Sequence, residues 1–357
     1  MKPRIAVLGA GAWGTTVAKV IADKGNDVII WAHETETVDE INREHVNSRF
    51  LPDVKLPAAL SASTDIVETA AGAEYLILAS PSLFLLDTVK KILAVPSIRE
   101  GETAIAVITK GFLQSSRGPR LILETLEDYL PGFYRNSLVY IAGPSHAEEV
   151  SRAKVTGLIA ASENAKNSFR FRDLLKTNWL LVFSSLDVRG VQVAAAAKNV
   201  IAIAFGILDA LKTGNAGAEG SIFGDGTESL LLAAGLNEIQ SLGTAMGATH
   251  PETFSSISGV GDLDVTCRSV WGRNRRFGRE IIEKDILARF GDLEDLLARI
   301  SELGYLPEGA AAAKYVKILA EKHKLKMPIS TGLYQILNKE IGPVEFVNNF
   351  FDGFLSR

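Results

Sequence analysis

The first half of the chain alternates short apolar runs with helical spacings. Runs at residues 4–8, 27–31, 75–79, 103–108, 138–142, 157–161 and 179–183 are of strand length and largely continuous in Val, Ile, Leu and Ala, the form of strands covered on both faces. Between them Thr15 to Lys24, Ser82 to Leu93, Arg120 to Leu130 and Ala165 to Lys176 repeat apolar residues at helical spacing, with Gly and Pro at the joins. Strand and helix in alternation predict βαβ units on a parallel sheet. From about Leu186 the pattern changes to long Ala-, Leu- and Ile-rich stretches at 186–211, 228–246, 262–268, 278–289, 292–303, 308–322 and 329–338, which predict helices. The expectation is an α/β fold, a Rossmann-like N-terminal domain followed by an all-α C-terminal domain. The change of pattern falls near 185–192, dividing 1–188 from 189–357.

Composition narrows this picture without changing it. A chain of 357 residues suits two domains. With 38 basic and 42 acidic side chains the net charge is −4, and no long run of one sign offers a surface for nucleic acid or a charged membrane. Cys267 is the single cysteine and the five histidines are scattered, so neither an internal disulfide nor a metal site is expected. The N-terminus passes from Met1-Lys2-Pro3-Arg4 straight into a strand-like run, which predicts a cytoplasmic protein without a signal peptide. The most apolar stretch, Val191 to Leu211, is broken by Lys198, Asn199 and Asp209 and reads as a buried helix rather than a membrane span. Glycines crowd Thr213 to Gly226, predicting a loop.

Strand 4–8 runs into Gly9-Ala10-Gly11-Ala12-Trp13-Gly14 and then a helical pattern. In that context GxGxxG has a physical meaning: the first glycine makes the tight turn, the second admits a pyrophosphate, and the third lets helix and strand approach. The end of the second strand reads Trp31-Ala32-His33-Glu34. Ala32 supplies no carboxylate for a ribose, His33 could face a 2′-phosphate, and Glu34 is near enough to serve NAD instead. NAD and NADP both stay open, with a lean to NADP.

Lys110-Gly111 follows strand 103–108 at the edge where open α/β sheets bind ligands. Gly143-Pro144-Ser145-His146-Ala147-Glu148-Glu149 follows another strand, and Ser145 with Glu148 fits a capping box opening a helix. The sharpest feature is Lys198-Asn199 between Ala194-Ala195-Ala196-Ala197 and Val200-Ile201-Ala202. A buried ammonium needs a carboxylate or a substrate, and apolar surroundings make it readier to give up its proton; a lysine at the helix edge reaching water is the plainer alternative. Asp262 and Thr266 are four residues apart, hence on one helical face, although Asp262 would also serve as a cap. Gly272-Arg273-Asn274-Arg275-Arg276-Phe277-Gly278-Arg279 is a compact basic cluster suited to phosphate. One interleaved aromatic and no wider basic stripe argue against RNA.

In order along the chain, GAGAWG, Asn47 to Pro52, Lys110-Gly111, GPSHAEEV, the lysine helix, TFSSISGVGDLDVTC, GRNRRFG and Pro307-Glu308-Gly309 together resemble the NAD(P)-dependent glycerol-3-phosphate dehydrogenase family. The resemblance implies hydride transfer between NAD(P)H and dihydroxyacetone phosphate, giving sn-glycerol 3-phosphate, a glycerophospholipid precursor, and a homodimer; the interrupted apolar stretch already argues against membrane insertion. It implies that Lys198 exchanges the proton on the substrate oxygen, that Lys110 assists electrostatically, and that Asp262 stands beside the lysine. Gly143, Ser145, Asn199, Thr266, Gly272, Arg273 and Asn274 correspond to substrate positions, with Arg273 and Asn274 gripping phosphate. Gly9, Gly11, Ala12, Trp13, Gly14, His33, Lys110, Ala147, Arg273, Leu306 and Glu308 fall where the family contacts dinucleotide. The chain departs from the family at the glycine-rich 213–227 segment, at Ala234 in place of a usual arginine, at His146 in place of an aromatic, and at Ala12 in place of a frequent serine. Two rivals remain on the residues alone: a related dehydrogenase of β-hydroxy or sugar acids, and a dinucleotide sensor without turnover.

Overall fold

A computed structural model describes residues 2–213 and 222–355, with compact units Met1–Gln192 and Val193–Arg357. The first unit is built on an eight-stranded sheet in the order β10-β9-β8-β5-β4-β1-β2-β3. Its strands are β1 (Ile5–Leu8), β2 (Val28–Trp31), β3 (Leu60–Ser63), β4 (Tyr75–Leu78), β5 (Ala104–Val107), β8 (Val139–Ala142), β9 (Thr156–Ala161) and β10 (Leu180–Ser185). The central strands β1, β5 and β8 are buried at every residue, as expected of strands with helices on both faces. At the edges burial alternates: Leu60 and Ala62 point inward from β3, and Leu180 and Val182 from β10.

Two departures from the expected pattern have local causes. β9 pairs with β8 antiparallel, and β10 then runs parallel to β9, so the sheet is mixed. The β8–β9 connection carries only a four-residue helix, α7 (Ala147–Val150), too short for the packed crossover that a parallel neighbour requires. The helix expected over 120–130 shrinks to α6 (Ile122–Glu127), because a hairpin of β6 (Phe112–Ser115) and β7 (Gly118–Leu121) takes its first residues. The turning position Gly118 has φ +93°, open to glycine at little strain. The remaining helices of this unit are α1 (Ala12–Asp23), α2 (Thr35–Glu44), α3 (Ile66–Ala70), α4 (Ser82–Ile92), α5 (Pro96–Arg99) and α8 (Ala165–Leu175).

The second unit is helical throughout its described residues and is organised around α9 (Val188–Thr213). Among the described residues this is the one helix long and apolar enough to cross a membrane, and its most apolar window is completely buried. A helix apolar on all sides must be surrounded, and glycines let the neighbours come close. A Cβ on Gly235 would strike Ile201, one on Gly278 the backbone of Ile203 and Gly206, and one on Gly309 the backbone of Asn199. The helices Asp225–Ala245, Arg273–Glu283 and Glu308–Lys322 thus each pack on α9 through a glycine. Its buried Asp209 is matched by Arg275 at 2.6 Å and Arg279 at 2.7 Å. The loop expected over 213–226 lies largely outside the described residues, although a helix already begins at Asp225.

Candidate functional site

In the first unit the candidate residues line up at the carboxyl ends of parallel strands. β1 and β4 are neighbours whose connections leave to opposite sides, the switch point where such sheets bind ligands. The three glycines after β1 have different tasks. Gly9 has φ +126°, and a Cβ there would lie 2.8 Å from the Ala79 carbonyl carbon. A Cβ on Gly14 would run into the Gly9 carbonyl oxygen, so this glycine lets α1 cross the turn. Around Gly11 a Cβ would meet nothing within 4 Å. No protein atom requires a glycine there, so the space it leaves fits a ligand. Gly11 also caps α1 without a side-chain hydrogen bond, leaving the first-turn amides, including Ala12 and Trp13, suited to a pyrophosphate.

Asn47 holds the turn in place. Fully buried, it donates to the Ala10 carbonyl and to Thr15 Oγ1, both at 2.9 Å, and accepts from Phe50 N–H. At the end of β2 His33 is exposed and its ring lies 6.5 Å from that of Trp31. Glu34 is paired at 3.4 Å with Arg49, a cation that the linear pattern at 32–34 could not reveal.

Lys110, Gly143 and Ser145 come together around one oxygen. The Gly143 carbonyl accepts from Lys110 Nζ at 3.4 Å and from Ser145 Oγ at 3.1 Å. Gly143 has φ +152°, and a Cβ there would crowd the Gly157 carbonyl, so the tight approach of β9 explains this glycine. The capping box expected of Ser145 and Glu148 does not form. His146 occupies the cap position, with no side-chain hydrogen bond capping the helix, and the Ser145 hydroxyl turns back to Gly143. Ala147 is buried, and its carbonyl accepts from Thr16 of α1 at 3.3 Å.

The second unit brings together Lys198, Asp262 and Thr266. Lys198 is 4% exposed and Asp262 1%. The Lys198 ammonium is hydrogen-bonded to the Asp262 carboxylate, and donates to Thr266 Oγ1 at 2.7 Å. Thr266 donates in turn to the Asp262 carbonyl at 2.6 Å, so the four-residue spacing sets both acceptors on one side. A single π-type turn, Ile257–Gly261, leads into the helix Asp262–Arg268. Within that turn a Cβ on Gly259 would strike the Phe254 backbone. Such turns occur where the helical ladder must be re-aimed.

The basic cluster separates into two kinds of arginine. Arg275 and Arg279 hold Asp209, and Arg276 pairs with Glu280 at 3.0 Å. Arg273, exposed in the first turn of the helix Arg273–Glu283, has no ion pair with any described residue. That leaves it free to take an anion. Gly272 caps this helix, and a Cβ on it would come 2.9 Å from the Thr266 carbonyl, so the helix start is packed against the lysine's partner. Asn274 is buried between Asn199, 3.0 Å away, and the Gly309 amide, 2.9 Å away. Leu306 and Glu308 are half-buried where the helix Glu308–Lys322 begins. Asn47, Arg49 and Gly309 lie in segments that carry the family resemblance, but the sequence assigned them no role: each takes its meaning from a residue distant in the chain.

A Rossmann-type unit with a glycine turn at its switch point, joined to a helical unit with a buried lysine–aspartate pair, defines the class of two-domain nicotinamide-dependent dehydrogenases. Residues 4–168 match the family described as NAD-dependent glycerol-3-phosphate dehydrogenase N-terminus, and residues 187–348 match its C-terminus. The chain belongs to the NAD-dependent glycerol-3-phosphate dehydrogenase family. It is 56% identical over 359 aligned residues to glycerol-3-phosphate dehydrogenase (NAD(P)+) of Treponema denticola, covering 99% of each chain. The protein of the same name from Bacillus velezensis is 37% identical, with 94% of this chain and 90% of that one covered. A crystal structure of glycerol-3-phosphate dehydrogenase from Coxiella burnetii superposes with a TM-score of 0.83 at 30% identity, covering 98% of this chain and 99% of that one.

Proposed function

We propose that this protein interconverts dihydroxyacetone phosphate and sn-glycerol 3-phosphate with NAD(H) or NADP(H). The observation that carries the proposal is the Lys198 ammonium, buried in α9 against Asp262 and Thr266. The dinucleotide, when bound, supplies or takes up the hydride at the substrate carbon. Lys198 donates its proton to the oxygen that becomes the hydroxyl, and recovers it in the reverse direction. Asp262 and Thr266 hold the ammonium in place. Lys110 adds positive charge toward the same developing oxyanion, while Arg273 holds the nonreacting phosphate, so that binding energy from a remote group orients the carbonyl.

The lean to NADP is supported by exposed His33 and by Arg49, which engages the nearest carboxylate, Glu34. Assembly as a homodimer rests on the family resemblance, and a cytoplasmic location is an expectation from the sequence.

The test is Lys198→Ala in the full chain, assayed with dihydroxyacetone phosphate and each reduced dinucleotide. Turnover should fall by about 10²–10⁴, the usual share of a general acid, with the dissociation constant for dinucleotide nearly unchanged. Comparable turnover in the variant would refute the assignment. Wild-type reduction of keto acids in preference to dihydroxyacetone phosphate would favour the hydroxy-acid rival, and dinucleotide binding with no turnover would favour a sensor.

A further inference from the structure

Gly11 leaves room for a diphosphate, and the same glycine creates a difficulty. The peptide joining Ala10 to Gly11 is planar and trans, so its carbonyl oxygen and the Gly11 N–H point in opposite directions. One orientation offers an anion a donor, and the other confronts it with an oxygen. Turning the peptide over requires a positive φ at position 11, which a side chain resists and a glycine accepts readily. The orientation must therefore be chosen from outside the glycine turn. Two side chains, both fully buried, grip the Ala10 carbonyl: Asn47 Nδ2 donates to it at 2.9 Å and Thr15 Oγ1 at 3.1 Å. The direction of each bond is itself fixed. Phe50 N–H, which only donates, reaches Asn47 Oδ1 at 3.3 Å and so turns the amide nitrogen toward Ala10. That nitrogen also donates to Thr15 Oγ1 at 2.9 Å, which leaves the threonine its proton for Ala10. Leu51 N–H, on the Asn47 carbonyl at 2.8 Å, ties the asparagine's backbone into its own loop. With the Ala10 oxygen held by two donors, the Gly11 N–H faces the other way. No described residue accepts from it, and Gly11 keeps its φ of −66°.

We propose that Asn47 and Thr15 are positioning residues that lock the Ala10–Gly11 peptide with its N–H toward the dinucleotide's diphosphate, so that the turn is set for an anion before the dinucleotide arrives. The proposal rests on the reading of the glycine turn as the diphosphate site. It gives the loop between α2 and β3 a part in dinucleotide affinity without any contact with the dinucleotide itself. Affinity falls as the fraction of molecules with the N–H turned outward falls, and the two donors keep that fraction high.

Thr15→Val keeps the shape of the side chain and removes the hydroxyl, and Asn47→Leu removes the amide at similar volume. Each takes one donor from the Ala10 carbonyl. Each should raise Kd for NADH and for NADPH, read by fluorescence titration of the full chain, by about threefold to tenfold, the worth of one hydrogen bond. The double variant should raise both by up to about a hundredfold, since both donors are then gone. Turnover at saturating dinucleotide, and KM for dihydroxyacetone phosphate, should stay within about twofold of wild type, because only binding of the dinucleotide is altered. A double variant that loses unfolding free energy in urea yet binds both dinucleotides as tightly as wild type would overturn the proposal, since the clamp would then serve stability alone. Turnover that falls as far as affinity would count against it equally, by placing the damage at the reacting groups. Should Asn47→Leu fail to fold, as read by circular dichroism, Thr15→Val decides the matter on the same criteria. Binding is measured apart from turnover, so a wild type that binds dinucleotide but leaves dihydroxyacetone phosphate unreduced sinks the function proposed above and not this inference. Unchanged affinity in the variants of an active wild type sinks this inference alone.

Discussion

An ammonium at position 198 without a counter-charge would be untenable, because burial of an isolated charge is among the most unfavourable changes a fold can contain. Asp262 and Thr266 remove that difficulty by presenting a carboxylate and a hydroxyl from one turn of helix. Their contributions differ in kind. Asp262→Asn leaves the ammonium without its charge partner, and the protein should lose about 3–5 kcal/mol of unfolding free energy along with most of its turnover. Thr266→Ala removes one bond to a charged group, a loss of about 1.5–3 kcal/mol. Urea unfolding of both variants beside the wild type checks the order; equal losses would mean that the charge is balanced by other groups. The lysine was legible from sequence because a cation inside an alanine run is conspicuous. The segment holding Asn47 and Arg49 was conspicuous too, but their tasks were not legible, since what matters about them is contact with the glycine turn and with Glu34 across loops.

Among elements, the passage from β1 through the glycines to α1 was legible because each residue in it has a local task. The structure sharpens those tasks into different expectations for two similar substitutions. Gly14→Ala places a methyl group inside the Gly9 carbonyl, so it should lower stability by about 1–3 kcal/mol through overpacking. Gly11→Ala meets no protein atom and should lose at most about 1 kcal/mol as a poorer helix cap, yet weaken dinucleotide binding at least tenfold because its methyl fills the ligand's space. Thermal melts with and without NADPH separate the two; normal affinity in folded Gly11→Ala would show that the pyrophosphate lies elsewhere. The elements that escaped sequence reading carry weak periodic signals. β3 has only Leu60 and Ala62 facing inward, and α2 buries only Thr37 and Ile41. The reversal at β9 depends on the length of a connection rather than on the strand's own residues.

At the scale of the whole molecule, the change from alternating strands to long helices announced the architecture, but not the polar contacts on which the helical unit depends. One of these gives that unit a pH-dependent stability. Glu238, 5% exposed on the helix Asp225–Ala245, accepts from Ile329 N–H at 2.6 Å, from Ser330 N–H at 3.0 Å and from Ser330 Oγ at 2.7 Å. It thereby caps the start of the helix Pro328–Leu337. Burial pushes its pKa from 4.5 up to about 7, and the three hydrogen bonds offset this only in part. Because the folded value lies above the unfolded one, the folded chain holds a proton that the unfolded chain has released between about pH 4.5 and 7. The group's contribution is therefore fully present below about pH 4.5 and is lost as pH rises through about 7. Glu238→Gln cannot titrate and removes this dependence. The stability of wild type relative to Glu238→Gln, measured by urea unfolding, should be greater at pH 5 than at pH 8 by up to about 3 kcal/mol, at about 1.4 kcal/mol per pH unit. A difference that does not change with pH would show that the hydrogen bonds from Ile329 and Ser330 hold the carboxylate ionised throughout, and that this buried joint is insensitive to acid.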